Sequence, residues 1–286
     1  MALEQMNQMA LLVERNWCAA WASLGAVRAV RAEPTTFVDD LPEALRVYTP
    51  GLPETLLNMV IRYACDEVVS ARQVERIIAP YREHHLPFQW WLTRGLEPAG
   101  LRERLAALGM ETWGGATMMC LPLADWSPRY PPAPLSATLR KSLHDEDSLA
   151  ALNIICNVFY IPQAPMLRWT TLNPAFDLWV AWLGARPVAA LATLIADDVV
   201  GVYHVATLPG ARRRGIAGNL LTLALGEAQA QGCRWATLTA TPEARALYET
   251  LGFRSCGLLE QWMPGPRLSR ELSGGTASGF FDGYWE

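Results

Sequence analysis

Val205-Ala-Thr-Leu-Pro-Gly-Ala-Arg-Arg-Arg-Gly-Ile-Ala-Gly-Asn219 is the stretch on which the reading of this chain turns. It opens as a β-branched strand, passes through a tight Pro-Gly loop and enters the amino end of a helix. The first turn of a helix has backbone N–H groups with no internal partner, and the macrodipole adds partial positive charge there. A loop feeding such a turn wraps a pyrophosphate when its side chains are small where phosphate comes close. Gly215, Ala217 and Gly218 supply the smallness, and Arg212, Arg213 and Arg214 supply long-range attraction. Ile216, Leu220, Leu223 and Ala224 fall on one helical face and are expected to anchor the helix to a sheet.

Outward from this stretch the order of elements is regular. Upstream, a helix is expected over 147–159, led by an acidic first turn, then three strands over 176–183, 188–196 and 199–207. Gly184-Ala185-Arg186 and Asp197-Asp198 separate the strands at hairpin spacing. Downstream come a helix over 215–231, a strand over 235–240, a helix over 242–251 and a strand past Phe253. Four prolines within 126–134 favour an extended connector. Before it, helices are expected over 3–24, 72–82 and 98–108, with Gly109 at the C-cap of the last. Strands are expected at 36–38, 46–48, 88–92 and 116–121. The chain therefore reads as α+β, with a first domain over 1–126, a Pro-rich linker over 127–134, a second domain over 135–263 and a flexible tail over 264–286.

Composition narrows the function. A chain of 286 residues has room for two domains, and 51% hydrophobic content lets each bury a core. A net charge of -4 provides no positive field to gather phosphates, so nucleic acid is not an expected partner. Six scattered cysteines, without Cys-x-x-Cys pairs or clustered histidines, suit reduced buried thiols rather than a metal site. Charged residues or prolines interrupt each apolar run, so no membrane partner is expected. The opening Met-Ala-Leu-Glu-Gln-Met lacks the basic-then-apolar order of a secretory signal, so the expected location is cytoplasmic.

At Arg212, Gly215 and Ala217 the chain resembles the GNAT superfamily, whose phosphate signature is Arg or Gln, two free positions, Gly, one free position, then Gly or Ala. A second run, Ala246-Leu-Tyr-Glu-Thr-Leu-Gly-Phe253, is similar to one the family carries at the same distance beyond its loop. The resemblance covers about residues 139–259. It implies a GNAT fold, tandem if the first domain shares it, and acetyl-CoA as cosubstrate. It implies that Val205, Ala206 and Thr207 lie on a strand splayed from its neighbour, offering backbone groups to the pantetheine arm. It further implies that backbone groups of Arg213 through Gly218 hold the pyrophosphate and that Tyr248 stands beside the thioester sulfur. A phenol near pKa ~10 can then assist a thiolate near ~8.5 by donating a hydrogen bond or a proton.

Two positions depart from the family. Thr241 stands where many members keep a cofactor-contacting asparagine. By register the general base would fall at Gly201, Tyr203 or Ala236, and none is a base at neutral pH. His204 is adjacent, but strict strand alternation points it to the opposite face, where a structural hydrogen bond would account for it. Water relays the proton, or the base comes from elsewhere, or this copy is catalytically poor. The resemblance thus implies acetyl transfer to a primary amine on a small molecule, amino acid or peptide terminus, by direct attack. The alternative is a non-catalytic acyl-CoA-binding sensor.

Other polar clusters read structurally: Asp145, Glu146 and Asp147 as a helix start, Asp197-Asp198 as a turn, and His84-His85 as a solvated pair. Asp177, near a strand start, is a candidate for facing an amine. The first domain has no phosphate loop, but its closing order of strand, helix, Leu-Gly-Met and strand echoes the end of a GNAT domain. Thr49-Pro-Gly-Leu-Pro followed by Asn58 is similar to the amino-terminal portion of some two-part members. A degenerate GNAT-like domain or an unrelated α+β domain is expected there.

Overall fold

The computed structural model describes residues 3–27, 34–63, 68–127 and 137–273. In chain order these form α1 (Leu3–Ala22), β1 (Phe37–Asp40), β2 (Ala44–Tyr48), β3 (Met59–Tyr63), α2 (Ala71–Glu83), β4 (Gln89–Thr93), α3 (Leu101–Leu108) and β5 (Met110–Pro122). Then follow β6 (Ala137–Lys141), α4 (Asp145–Phe159), α5 (Gln163–Met166), a π-helical turn (Leu167–Thr171), β7 (Phe176–Leu183), β8 (Arg186–Ala196) and β9 (Val199–Thr207). The chain continues through α6 (Ile216–Ala230), β10 (Trp235–Ala240), α7 (Pro242–Leu251) and β11 (Arg254–Pro264) to α8 (Pro266–Leu272). Two compact units result, Met1–Ala20 with Thr117–Cys256, and Trp21–Ala116 with Gly257–Glu286. The first helix thus belongs to the unit holding the Arg-rich loop, a division different from one drawn at residues 126 and 134. The linker expected over 127–134 lies, from 128 on, outside the described residues.

In the first unit the strands run β5-β10-β9-β8-β7-β6, antiparallel except for the β9–β10 pair. Alternation divides the side chains between two faces. Trp179, Ala181, Leu191, Val200, Val202, Ala236 and Leu238 meet α6 and α7 in one core. The opposite face carries α4, where Asp147 accepts from Trp182 Nε1 at 3.0 Å and pairs with Arg140 at 2.8 Å. Asp147 is therefore a buried ion-pair partner as well as part of a helix start. Helix α1 covers the same face: Cys120 Sγ donates to Met9 O at 3.2 Å, and Asn16 Nδ2 donates to Val199 O at 3.1 Å.

The helical face expected to anchor α6 is rotated from the expectation. Ile216, Leu220 and Ala224 are buried as expected, but Leu223 is 40% exposed, and Leu221, Leu225 and Ala228 fill the core instead. The helix is apolar over so much of its circumference that spacing alone did not fix which stripe faces the sheet.

In the second unit the order is β1-β2-β3-β4-β11, again with one parallel pair, β3–β4. Its core gathers Ile77, Tyr81, Phe88, Trp90, Leu101 and Leu268. Tyr81 donates from its buried hydroxyl to Met59 O and Val47 O, satisfying a polar group that burial would otherwise penalise. Asn58 holds the Thr49–Glu54 loop by accepting from Thr49 N and donating to Leu52 O and Glu54 O. Strand β3 is not anticipated by the sequence reading, because its apolar run, Met59–Ile61, is too short to distinguish helix from strand. The expected tail is in part a helix: Gly265 and Pro266 start α8, and Leu268 and Leu272 are buried in the core. Residues 274–286, the rest of that tail, lie outside the described residues.

Candidate functional site

The site begins where two strands part. Parallel pairing of β9 with β10 extends only from Val199/Trp235 to Gly201/Thr237, although β9 continues to Thr207 and β10 to Ala240. Beyond that point β10 stays with β5, pairing Leu238, Thr239 and Ala240 with Met119, Met118 and Thr117. On its other side β9 stays with β8, pairing Ala206 and Thr207 with Ala190 and Ala189. Residues 202–207 thus turn an unladdered backbone edge into a wedge in the middle of a sheet. Backbone N–H and C=O groups are obligatory hydrogen-bonding groups, so such an edge is a receptor for an extended chain bearing amides. Val205, Ala206 and Thr207 all lie on it; Ala206 is buried, and Val205 leans on the α6-side core.

The wedge leads into the Arg-rich loop. Ala211 N and Arg212 N bond back to Leu208 O and Pro209 O, closing a tight turn, and Arg212 Nε donates to Thr207 O at 3.0 Å. Arg213 (φ 61°) and Gly215 (φ 75°) take left-handed conformations that reverse the chain into α6. Gly215 is the N-cap and provides no side-chain cap, so the amides of Ile216, Ala217 and Gly218 keep the free donors of a helix start. Asn219 sends both its backbone N and its Nδ2 to Gly215 O, at 3.0 and 2.8 Å, which pins the turn. Arg212, Arg213 and Arg214 are exposed around it. A helix start of this kind, with small residues at its lip, has the chemistry to accept an anion.

Helix α7 starts after β10 with Thr241 at its N-cap. The Glu243 carboxylate is held below its usual range first by its own backbone N–H and next by the Thr241 side chain, so the threonine is engaged within its own turn. Seven residues on, Tyr248 is 5% exposed, packed edge-on to Phe253 at 6.0 Å and in one core with Leu238 and Ala240. Burial raises its pKa, so the phenol is a protonated donor throughout the neutral range.

One face assignment is corrected by the structure. His204 has φ 51°, and the β8–β9 register shifts between Ala190 and Ala192, so a β-bulge interrupts the alternation at this residue. Consecutive side chains therefore share a face: Trp169, in the π-helical turn, meets the Tyr203 ring at 6.0 Å and the His204 ring at 4.5 Å. The expected structural hydrogen bond is absent at one ring nitrogen, because His204 Nε2 is buried without a partner. Gly201 and Tyr203 are occupied by α1. Tyr203 donates to Asn16 Oδ1 at 2.5 Å, and a Cβ at Gly201 would lie 1.8 Å from that same oxygen. Ala236 is sealed in the α6-side core. Asp177 is salt-bridged to Lys141 at 2.9 Å, and that ammonium also holds Glu227 at 2.7 Å. Asn16, Trp169 and the bulge were not found from sequence; only a positive φ at a non-glycine would have pointed to the bulge, and β-branched spacing does not encode it.

Residues 141–253 match the model of the acetyltransferase (GNAT) family. They form a GNAT domain. No curated protein matches the sequence. Among solved structures, a GCN5-related N-acetyltransferase from Kribbella flavida is similar over 90% of this chain and 97% of its own, at 19% identity and TM-score 0.64. A tandem GNAT protein from the clavulanic acid biosynthesis pathway is similar over 89% and 95%, at 14% identity and TM-score 0.55. A GCN5-related N-acetyltransferase from Sphaerobacter thermophilus covers 80% and 82%, at 17% identity and TM-score 0.58. The likeness extends beyond the GNAT domain, and the amino-terminal half is GNAT-like in fold as well. Among the described residues no helix is long and apolar enough to cross a membrane, and no His, Cys, Asp and Glu cluster has the makings of a metal site.

Proposed function

We propose that the GNAT domain transfers an acetyl group from acetyl-CoA to a primary amine of a small molecule, amino acid or peptide terminus by direct attack. The observation that carries this reading is the continuity of the β9–β10 wedge with the uncapped start of α6. An amide-bearing arm fits the first and a pyrophosphate fits the second, which together describe coenzyme A. The thioester then lies in the wedge. Tyr248 reaches it from the α7 side and donates to the departing sulfur, a role that suits a phenol kept protonated by burial. Arg213, Arg214 and the amides through Gly218 hold the diphosphate, and Thr241 closes the far side of the wedge.

Among the described residues, the amino-terminal unit shows no such cradle. Its helix α2 follows β3 as α6 follows β9, but Ser70 Oγ accepts from Gln73 N while Gln73 Oε1 accepts from Ser70 N at 2.7 Å. This capping box takes up Gln73 N, one of the three helix-start donors whose counterparts α6 leaves free. We take this unit as a degenerate copy that does not hold acetyl-CoA.

A second reading, a non-catalytic acyl-CoA sensor, is favoured by the engagement of Gly201 and Tyr203 with Asn16. Thiol release separates the two: acetyl-CoA and a panel of primary amines are mixed with the protein and free thiol is followed. Transfer predicts amine-dependent release, whereas binding by calorimetry with no release for any amine favours the sensor.

A further inference from the structure

We propose that Cys120 and Cys256 form a redox pair that a hydroperoxide closes to a disulfide, with helix α1 as the lid that sets the rate. The pair is separate from acetyl transfer, and its test needs neither acetyl-CoA nor an amine. Cys120 lies on β5 and Cys256 near the start of β11, on neighbouring strands and within one compact unit. Cys256 Sγ donates to Cys120 Sγ at 3.7 Å, sharing its hydrogen with Met118 O at 3.4 Å. The sulfur atoms are in contact, and a bond of ~2.05 Å between them asks each to move by less than about 1 Å. They are 136 residues apart in the chain, so no Cys-x-x-Cys spacing announces them.

Helix α1 lies over the pair. Cys120 Sγ donates to Met9 O at 3.2 Å, and the two thiols are 0% and 3% exposed. Asn16 holds the helix down, donating to Val199 O at 3.1 Å and accepting from the Tyr203 hydroxyl. With α1 seated, the hydrogen bond from Cys256 and then burial hold the Cys120 thiol well above its ordinary range. Little thiolate is present, and the thiolate is the reacting form. Lifting α1 admits water and oxidant and returns the thiol to its ordinary range. With hydrogen peroxide, the Cys120 thiolate attacks one oxygen, the O–O bond breaks, and the second oxygen leaves as water after taking the thiol proton. The Cys256 sulfur then attacks the sulfenic sulfur of Cys120, the S–O bond breaks, and a second water leaves. Each sulfur gives up one electron and the peroxide takes two. A sulfenic acid formed against a waiting thiol is captured before it oxidises further, and a dithiol reductant restores both thiols.

The test treats the full chain with hydrogen peroxide, alkylates the remaining thiols at intervals and maps the peptides by mass spectrometry. Wild type is expected to lose two hydrogens and to give a linked Cys120–Cys256 peptide that dithiothreitol separates. Cys256→Ala is expected to collect oxygen on Cys120 instead. Asn16→Ala, which frees α1 of two bonds, is expected to form the disulfide about tenfold faster or more. Where that variant does not fold, urea below the unfolding transition is expected to speed wild type in the same way. Oxygen adducts on Cys120 or Cys256 as the main wild-type product, or other cysteines oxidised while these two stay reduced, would overturn the pair. An equal rate in a folded Asn16→Ala, or in wild type with urea where that variant does not fold, would overturn the lid.

Discussion

Tyr248 and His204 show how burial sets the state of a single side chain. Burial disfavours the charged form of each, keeping the phenol protonated and the imidazole neutral. Tyr248→Phe is expected to lower kcat while leaving acetyl-CoA affinity within about twofold, because only the departing sulfur needs the hydroxyl; single-turnover thiol release checks this, and an unchanged rate removes Tyr248 from the mechanism. His204 also has a consequence for stability. Its folded pKa, about 3, lies below the unfolded value of 6.5, so between those pH values the unfolded chain binds the extra proton. The stability linked to a neutral His204 is present above pH 6.5 and is lost as pH falls toward 3. His204→Gln is therefore expected to show a shallower loss of Tm between pH 6.5 and 4 than wild type, followed by circular dichroism. At this scale the sequence was legible for Tyr248, whose neighbours Leu251, Gly252 and Phe253 mark its helix and stop. It was not legible for His204, whose face depends on a backbone φ of 51° that residue type does not announce.

Helix starts divide the two halves at the next scale up. Both α2 and α6 follow a strand that runs parallel to the next one, yet α6 begins at an uncapped Gly215 and α2 at a Ser70 capping box. The two starts differ in what they leave free: donors for an anion in one, a self-contained turn in the other. Ser70→Ala is expected to cost about 1 kcal/mol in the unfolding transition of the amino-terminal unit, read from urea denaturation, with acetyl-CoA affinity unchanged. A loss of affinity would place α2 in the binding site. The element order of the GNAT domain was readable because Gly and Asp pairs punctuate β-branched runs at hairpin spacing. Strands β3 and β6 and helix α8 were not, since each is short and its neighbours are Pro-rich or polar. The α6 stripe was misread at Leu223 for a different reason: apolar residues fall on several sides of the helix between Ile216 and Ala228, so periodicity carries little contrast.

Taken whole, the chain holds two GNAT-like units, of which one, among the described residues, joins a parting of strands to an uncapped helix start. The boundary was partly hidden in the sequence because α1, at the amino terminus, packs with residues far along the chain: Asn16 bonds to Val199 and Tyr203. Such long-range pairing leaves no local pattern to read. The same helix engages two of the three positions where a base was expected, Gly201 and Tyr203. The most direct test of the cradle is calorimetric titration of acetyl-CoA into wild type and into Gly215→Glu, with circular dichroism to check the fold of each. One site per chain is predicted for wild type, and no measurable binding for a folded Gly215→Glu, since a carboxylate at the lip of α6 would repel the diphosphate. Unchanged affinity in that variant, or two equivalent sites in wild type, would contradict the account.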